Sequence, residues 1–116
     1  VPGFTQPPDL APTLLALFGV KPPEGMPGFD LLPLAHGEVE SVRANAITTL
    51  EVNGAAEAAI RTADSTLLLP TRVPDGETRD PQLFEKPDDR WEVNDVRRAN
   101  LERADELEVE VKKLSA

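Results

Sequence analysis

The sequence predicts an α+β fold, a small four-stranded antiparallel sheet with a packed C-terminal helix, preceded by one helix and a Pro/Gly-rich loop. Three observations predict it. Leu10, Leu14, Leu17 and Phe18 form an apolar stripe at helical spacing near the start. Four short β-prone runs, each closed by turn residues, fill the middle. A second helical stripe, Leu101, Ala104, Leu107, Val111 and Leu114, closes the chain. Consecutive strands with tight turns favour an antiparallel meander.

Each element has its own signal. Val1 to Pro8 holds three Pro and a Gly, which predicts an extended arm. Asp9 then caps a helix at 9–18, with Pro12 in the first turn, where an N–H has no intrahelical partner, and Gly19 in the left-handed closing position. Lys21 to Gly37, with four Pro and three Gly around Leu31, Leu32 and Leu34, reads as an ordered loop in which Asp30 starts a single turn. The run SVRANAITTLEV ending at Val52 is β-prone at Ile47, Thr48, Thr49, Leu50 and Val52, and Asn53-Gly54 is a strong hairpin signal. Ala56 to Thr62 returns as the partner strand. Asp64-Ser65 turns the chain again, and Thr66 to Leu69 forms a third strand ended by Pro70. Arg72 to Pro81 is polar and turn-rich, and Gln82 to Glu85 makes the fourth strand. The last helix, started by Asn100 or by Asn94-Asp95, turns Glu102, Arg103, Glu106, Glu110 and Lys113 outward.

Composition narrows the function classes. Leu, Ile, Val and Phe make up about 27% of 116 residues, above the roughly 20% below which chains stay disordered. A modest core is available. The net charge of −9 repels a phosphate backbone, so nucleic acid is excluded as a partner. No apolar run approaches the roughly 18 residues of a membrane span, and the proline-rich start lacks the basic and apolar segments of a signal peptide. With no Cys and one His, His36, the chain offers neither thiolate nor multi-histidine metal sites. Val1 in place of Met, with the single methionine Met26 inside a Pro/Gly loop, points to a piece of a longer protein.

Two segments in order resemble the C-terminal part of the sulfatase family, the arylsulfatase-like branch of the alkaline-phosphatase-like superfamily. The first is Asp9-Leu10-Ala11-Pro12-Thr13-Leu14-Leu15, Gly19-Val20, Pro23, Gly28-Phe29-Asp30-Leu31-Leu32-Pro33-Leu34 and Gly37. The second is Ala59-Ile60-Arg61-Thr62, Leu67-Leu68-Leu69, Leu83-Phe84-Glu85-Lys86-Pro87-Asp88-Asp89, Glu92 and Asn94. The sequence departs from the family at Thr66, where a Lys is usual, at Pro87-Asp88, which inverts an Asp-Pro, and at Asn94-Asp95 in place of Asn-Leu.

The resemblance implies a parent of α/β fold that hydrolyses sulfate esters with a formylglycine made within a C/S-x-P-x-R motif and a divalent cation, usually calcium. Ser41, Ser65 and Ser115 are not followed by x-P-x-R, so nucleophile, metal ligands and sulfate-binding residues are expected upstream. No catalytic, cofactor-binding or metal-ligating residue is assigned within the chain. Residues 1–40 are then an arm, helix and loop at the edge of a larger catalytic domain, and 41–116 a C-terminal α+β subdomain. The remainder of that catalytic domain is the expected partner. Family likeness also implies an exported parent, periplasmic or secreted.

Candidate site residues are few. His36 brings the single imidazole and Arg61 could grip an anionic group, so both are candidates for the substrate entrance. Bland readings compete with each: His36 as a solvent-facing loop residue, Arg61 as a strand residue paired with nearby acids. Asp75, Glu77 and Asp80 around Gly76 read as a solvated turn, because the calcium-loop frame and its closing Glu are missing. Adjacent Asp88 and Asp89 point to opposite sides of an extended backbone. Trp91 reads as a cover for the small sheet in preference to a sugar-stacking platform.

Three functions follow as expectations. The first is a structural C-terminal subdomain of a sulfatase-like hydrolase that helps shape the substrate entrance and is inactive alone. The second gives the same fold to phosphoester or phosphonate-ester cleavage. The third is a stand-alone interaction module. Under the first, the stripe Leu10, Leu14, Leu17 and Phe18 is made for a missing partner, and the isolated fragment self-associates.

Overall fold

The computed structural model describes residues 3–115, so Val1 and Pro2 of the expected arm lie outside the described residues. The chain divides into two compact units, Val1–Ala46 and Ile47–Ala116.

In the first unit the extended entry is shorter than expected. Gln6 is extended, but Pro7–Asp9 already forms a 3₁₀ turn, with the Asp9 N–H donating to the Gln6 carbonyl at 2.9 Å. Helix α1, Leu10–Leu17, follows, with Pro12 in its first turn and buried. It ends as the glycine predicts: Gly19 has φ +70, the Val20 N–H reaches the Leu15 carbonyl at 2.8 Å, and the Gly19 N–H reaches Ala16 at 3.1 Å. These two bonds satisfy carbonyls that the helix itself leaves open. Asp30 starts a turn, accepting the Leu32 N–H at 2.9 Å. Helix α2, Leu32–Ala35, follows it.

The second unit is the antiparallel sheet with its helix, in the order β1-β2-β3-β4. Strand β1 is Ala46–Val52 and β2 is Ala55–Arg61, joined directly by Asn53 and Gly54 at φ 49 and 83. Two successive positive φ values match the right-handed twist of the flanking strands. Strand β3 is Ser65–Arg72 and β4 is Gln82–Glu85.

Pro70 does not end β3. It sits opposite Glu57 in β2, and β4 stops pairing at Gln82 opposite Leu68, so no strand lies on its other side to need a proline N–H. A register shift between Ala56 and Glu57 takes up the extra residue.

A 3₁₀ turn, Arg97–Ala99, precedes helix α3, Leu101–Ser115. Helix α3 starts directly after Asn100, but the Asn100 side chain does not cap it: its amide donates back to the Val96 carbonyl at 3.1 Å, while the Asp95 carboxylate accepts the Arg97 N–H of the 3₁₀ turn and not one of α3. Ala58 and Ile60 of β2, Leu67 and Leu69 of β3, Leu83 of β4 and Ala104, Leu107 and Val111 of α3 form the core, with Ile47 and Val96 packed against it. The ends of the expected α3 stripe are outside it. Leu101 and Leu114 are exposed, because the part of α3 that enters the core, Ala104 to Val111, is only about two helical turns long.

Candidate functional site

The expected Asp9 cap is replaced by something stronger. Asp9 is wholly buried, and its carboxylate makes no bond to the helix N–H groups. It accepts instead from the Gln6 N–H at 2.8 Å, the Phe29 N–H at 2.9 Å and the Arg43 Nε at 2.9 Å, and Arg43 Nη2 closes an ion pair on Oδ1. The two-pronged guanidinium contact is the strong form of carboxylate pairing. It holds the Asp9 carboxyl at about 2, below its ordinary 3.8, the two backbone donors adding to the effect against the cost of burial.

Neighbouring residues extend this knot. Thr13 Oγ1 donates to the Asp9 carbonyl at 2.6 Å and accepts the Leu31 N–H at 2.9 Å. Gly28 has φ +96, and a Cβ there would lie 2.1 Å from the Pro8 carbonyl oxygen, so the position admits only glycine. The Arg43 guanidinium covers the Phe29 ring at 4.9 Å from its centroid. Both Asp9 oxygens are engaged by donors and the carboxyl stays ionised at neutral pH, so it positions backbone and exchanges no proton. Sequence reasoning missed this role. The available signal was the Asp9/Thr13 spacing within the resembling run; Arg43, thirty positions further on, carried none.

The two candidate entrance residues lie in different units. His36 follows α2 as an exposed residue whose N–H donates to the Leu32 carbonyl at 2.9 Å. Arg61 ends β2, partly buried, with Nε donating to the Thr62 carbonyl at 3.0 Å. Glu77 of the acidic turn pairs with Arg79 at 2.8 Å. Among the described residues no group of three or more His, Cys, Asp or Glu could hold a metal.

A second built feature is the loop after β4. Lys86 Nζ is buried and donates to the Asp89 and Arg90 carbonyls at 2.9 and 3.3 Å, with Glu92 paired at 3.3 Å. The Asp89 carboxylate accepts the Val93 and Asn94 N–H groups, each at 3.0 Å, and these bonds lower its pKa. Asp88 stays exposed, with no such bonds. Trp91 is 78% exposed, with the Arg90 guanidinium 5.1 Å from the centre of its ring. The expectation that Trp91 covers the sheet is therefore overturned, because α3 already covers the face that carries Ile60 and Leu67.

Apolar side chains are also exposed along α1 and at its end. Leu10, Leu14, Leu17 and Phe18 are all exposed, Phe18 at 82%. No family model matches this chain, and no curated protein matches it.

Proposed function

We propose that the chain is the C-terminal part of a sulfatase-like hydrolase, with a structural role and a share in shaping the substrate entrance, and that sulfate ester hydrolysis is performed by residues upstream. One observation carries this reading: Asp9, Thr13, Gly28 and Asp30, four residues of the resembling run, are among those that fix the first unit's backbone, together with Arg43 from outside the run. The exposed α1 stripe fits a surface that a larger domain covers.

The described residues offer no set of side chains that fits a formylglycine or calcium site. Both Asp9 oxygens are engaged, no serine stands in a C/S-x-P-x-R context, and the described acidic residues form no metal cluster. Both groups belong, on this reading, to upstream residues, and no step is derived through them.

The test is the mass of the native polypeptide in its source cells, detected with an antibody raised against this chain. A species several times heavier than 12.6 kDa, carrying an upstream C/S-x-P-x-R motif, supports the reading. An unmodified Thr or Ser nucleophile there would turn it to phosphoester or phosphonate-ester cleavage. A species of this chain's own size, or arylsulfate hydrolysis by the purified chain, overturns it in favour of a stand-alone module or a complete enzyme.

A further inference from the structure

We infer that the free edge of β1 is an interaction surface whose occupant is the β1 strand of a second copy of this chain, added antiparallel about a two-fold axis at Leu50. The sheet itself carries this, independently of the sulfatase-like reading.

The sheet has two edges, and the chain treats them differently. Strand β4 is four residues long, bracketed by Pro81 and Pro87, and its outer side is already taken. The Leu83 N–H donates to the Asp95 carboxylate at 3.0 Å, and the Leu83 carbonyl accepts the Val96 N–H at 2.8 Å. A short strand, flanking prolines and a covering segment all keep an edge from pairing with another chain. Strand β1 has none of them. It runs for seven residues without Pro, Lys or Arg, and Thr48 to Val52 are exposed. Among the described residues no backbone bond from outside the sheet reaches residues 48–52. Its one charge, Glu51, is drawn back across β2 into an ion pair with Arg72 of β3. The two-residue turn makes Val52 and Ala55 a bonded pair, so by alternation the N–H and C=O groups of Thr49 and Glu51 point away from β2.

Such a row of backbone groups accepts any strand, and the side chains select a second copy. About a two-fold axis perpendicular to the sheet, residues of one face meet residues of the same face. An axis at Glu51 sets like charges directly opposite each other, which is unfavourable. One at Thr49 sets Ile47, which packs on the core, against Glu51. An axis at Leu50 brings Leu50 against its own copy, Val52 against Thr48, and Thr49 against Glu51, a hydroxyl opposite a carboxylate. Leu50 is 61% and Val52 54% exposed, so this register covers both open apolar side chains of the strand. Leu50, Val52, Ala55 and Pro70 line a hollow on that face, and the two hollows meet across the axis. An interface this small makes a weak dimer.

The chain contains no Cys, so each single substitution reports one position. Leu50→Cys should give a covalent dimer with oxidised glutathione, because the axis sets the two Cα atoms about 4.5 Å apart. Val52→Cys, on the same face and comparably exposed, should not, since Thr48 stands opposite it. Amide exchange at Thr49 and Glu51 should slow as protein concentration rises, while the Leu50 amide, which faces β2, stays protected throughout. Leu50→Lys alters an exposed side chain and sets like charges opposite each other, so it should weaken the dimer about tenfold in sedimentation. A chain that stays monomeric up to about 1 mM, or that cross-links equally at both positions, overturns the inference. Association that survives Leu50→Lys and is lost with Leu14→Lys also overturns it, because the contact then lies on α1. So does protection of the Thr49 and Glu51 amides that is unchanged by dilution, since a segment of the same polypeptide then fills the edge.

Discussion

In the Ile47–Ala116 unit the core cluster is Ala, Ile, Leu and Val drawn from three strands and one helix, whereas in the Val1–Ala46 unit the most completely shielded side chain is the Asp9 carboxylate. The sheet unit gains its order from area removed from water, a non-directional force that tolerates small shifts. The first unit, rich in Pro and Gly, has little such area to use. It is ordered by directional contacts: one carboxylate, one hydroxyl and one guanidinium tie together residues 6, 9, 29, 31 and 43. The difference explains why its large apolar side chains remain free to face outward on α1.

The comparison breaks most severely at Leu67, which is 0% exposed between β2, β4 and α3. Leu67→Ala removes a buried isobutyl group and leaves a cavity, so it costs about 2–5 kcal/mol. Urea unfolding monitored by circular dichroism checks this. A loss under ~1 kcal/mol would mean that the sheet unit is not held by its apolar core.

Asp9→Asn tests the other half. The amide turns an NH₂ toward donors and leaves the Arg43 guanidinium without its counter-ion, at a cost of about 3 kcal/mol. Amide exchange at Phe29 and Leu31, whose N–H groups end on Asp9 and Thr13, should accelerate about 100-fold. The Leu67 amide should respond less. Acid acts on the same bond. The folded Asp9 carboxyl titrates at about 2 against 3.8 for the free group, so its contribution is complete above pH ~4 and is lost as the pH falls toward ~2, about 2 kcal/mol in all. The first unit should therefore open in acid before the sheet, and Asp9→Asn should flatten that pH dependence.

Periodicity and turn chemistry are local, and where they governed the fold they were legible. Gly19 closing α1, Asn53-Gly54 joining β1 to β2, Asp30 starting a turn and Gln82–Glu85 as a strand are set by residues within a few positions of one another. Pro70 was misread because its tolerance depends on how far β4 extends, a fact of pairing and not of the residues beside it. The Asp9–Arg43 pair spans 34 residues, and no spacing rule connects them. Trp91 was misread for a related reason: composition makes a lone tryptophan a natural cover for a small core, but here α3 supplies the cover and a buried Lys86 holds the loop away.

The smallest expected effect comes from a contact that looks, on paper, like the Asp9 knot. Arg103 of α3 reaches Asp64 in the β2–β3 turn at 2.9 Å and Glu106 at 3.3 Å, and Asp64 also accepts from the Thr62 hydroxyl at 2.8 Å. The side chains of Asp64 and Glu106 are 70% and 60% exposed, so water and salt compete for each charge as the buried Asp9 does not permit. Arg103→Ala should cost under ~1 kcal/mol and less in high salt. The informative readout is the carboxyl itself. The Thr62 hydroxyl first and Arg103 second lower the Asp64 pKa, so removing the guanidinium should raise it part of the way toward its ordinary value by NMR titration. Because a depressed carboxylate contributes stability only above its unfolded pKa, the variant should differ from the parent chain near neutral pH and converge with it in acid. A loss as large as that of Asp9→Asn would erase the distinction between a buried and a solvated ion pair on which the contrast of the two units depends.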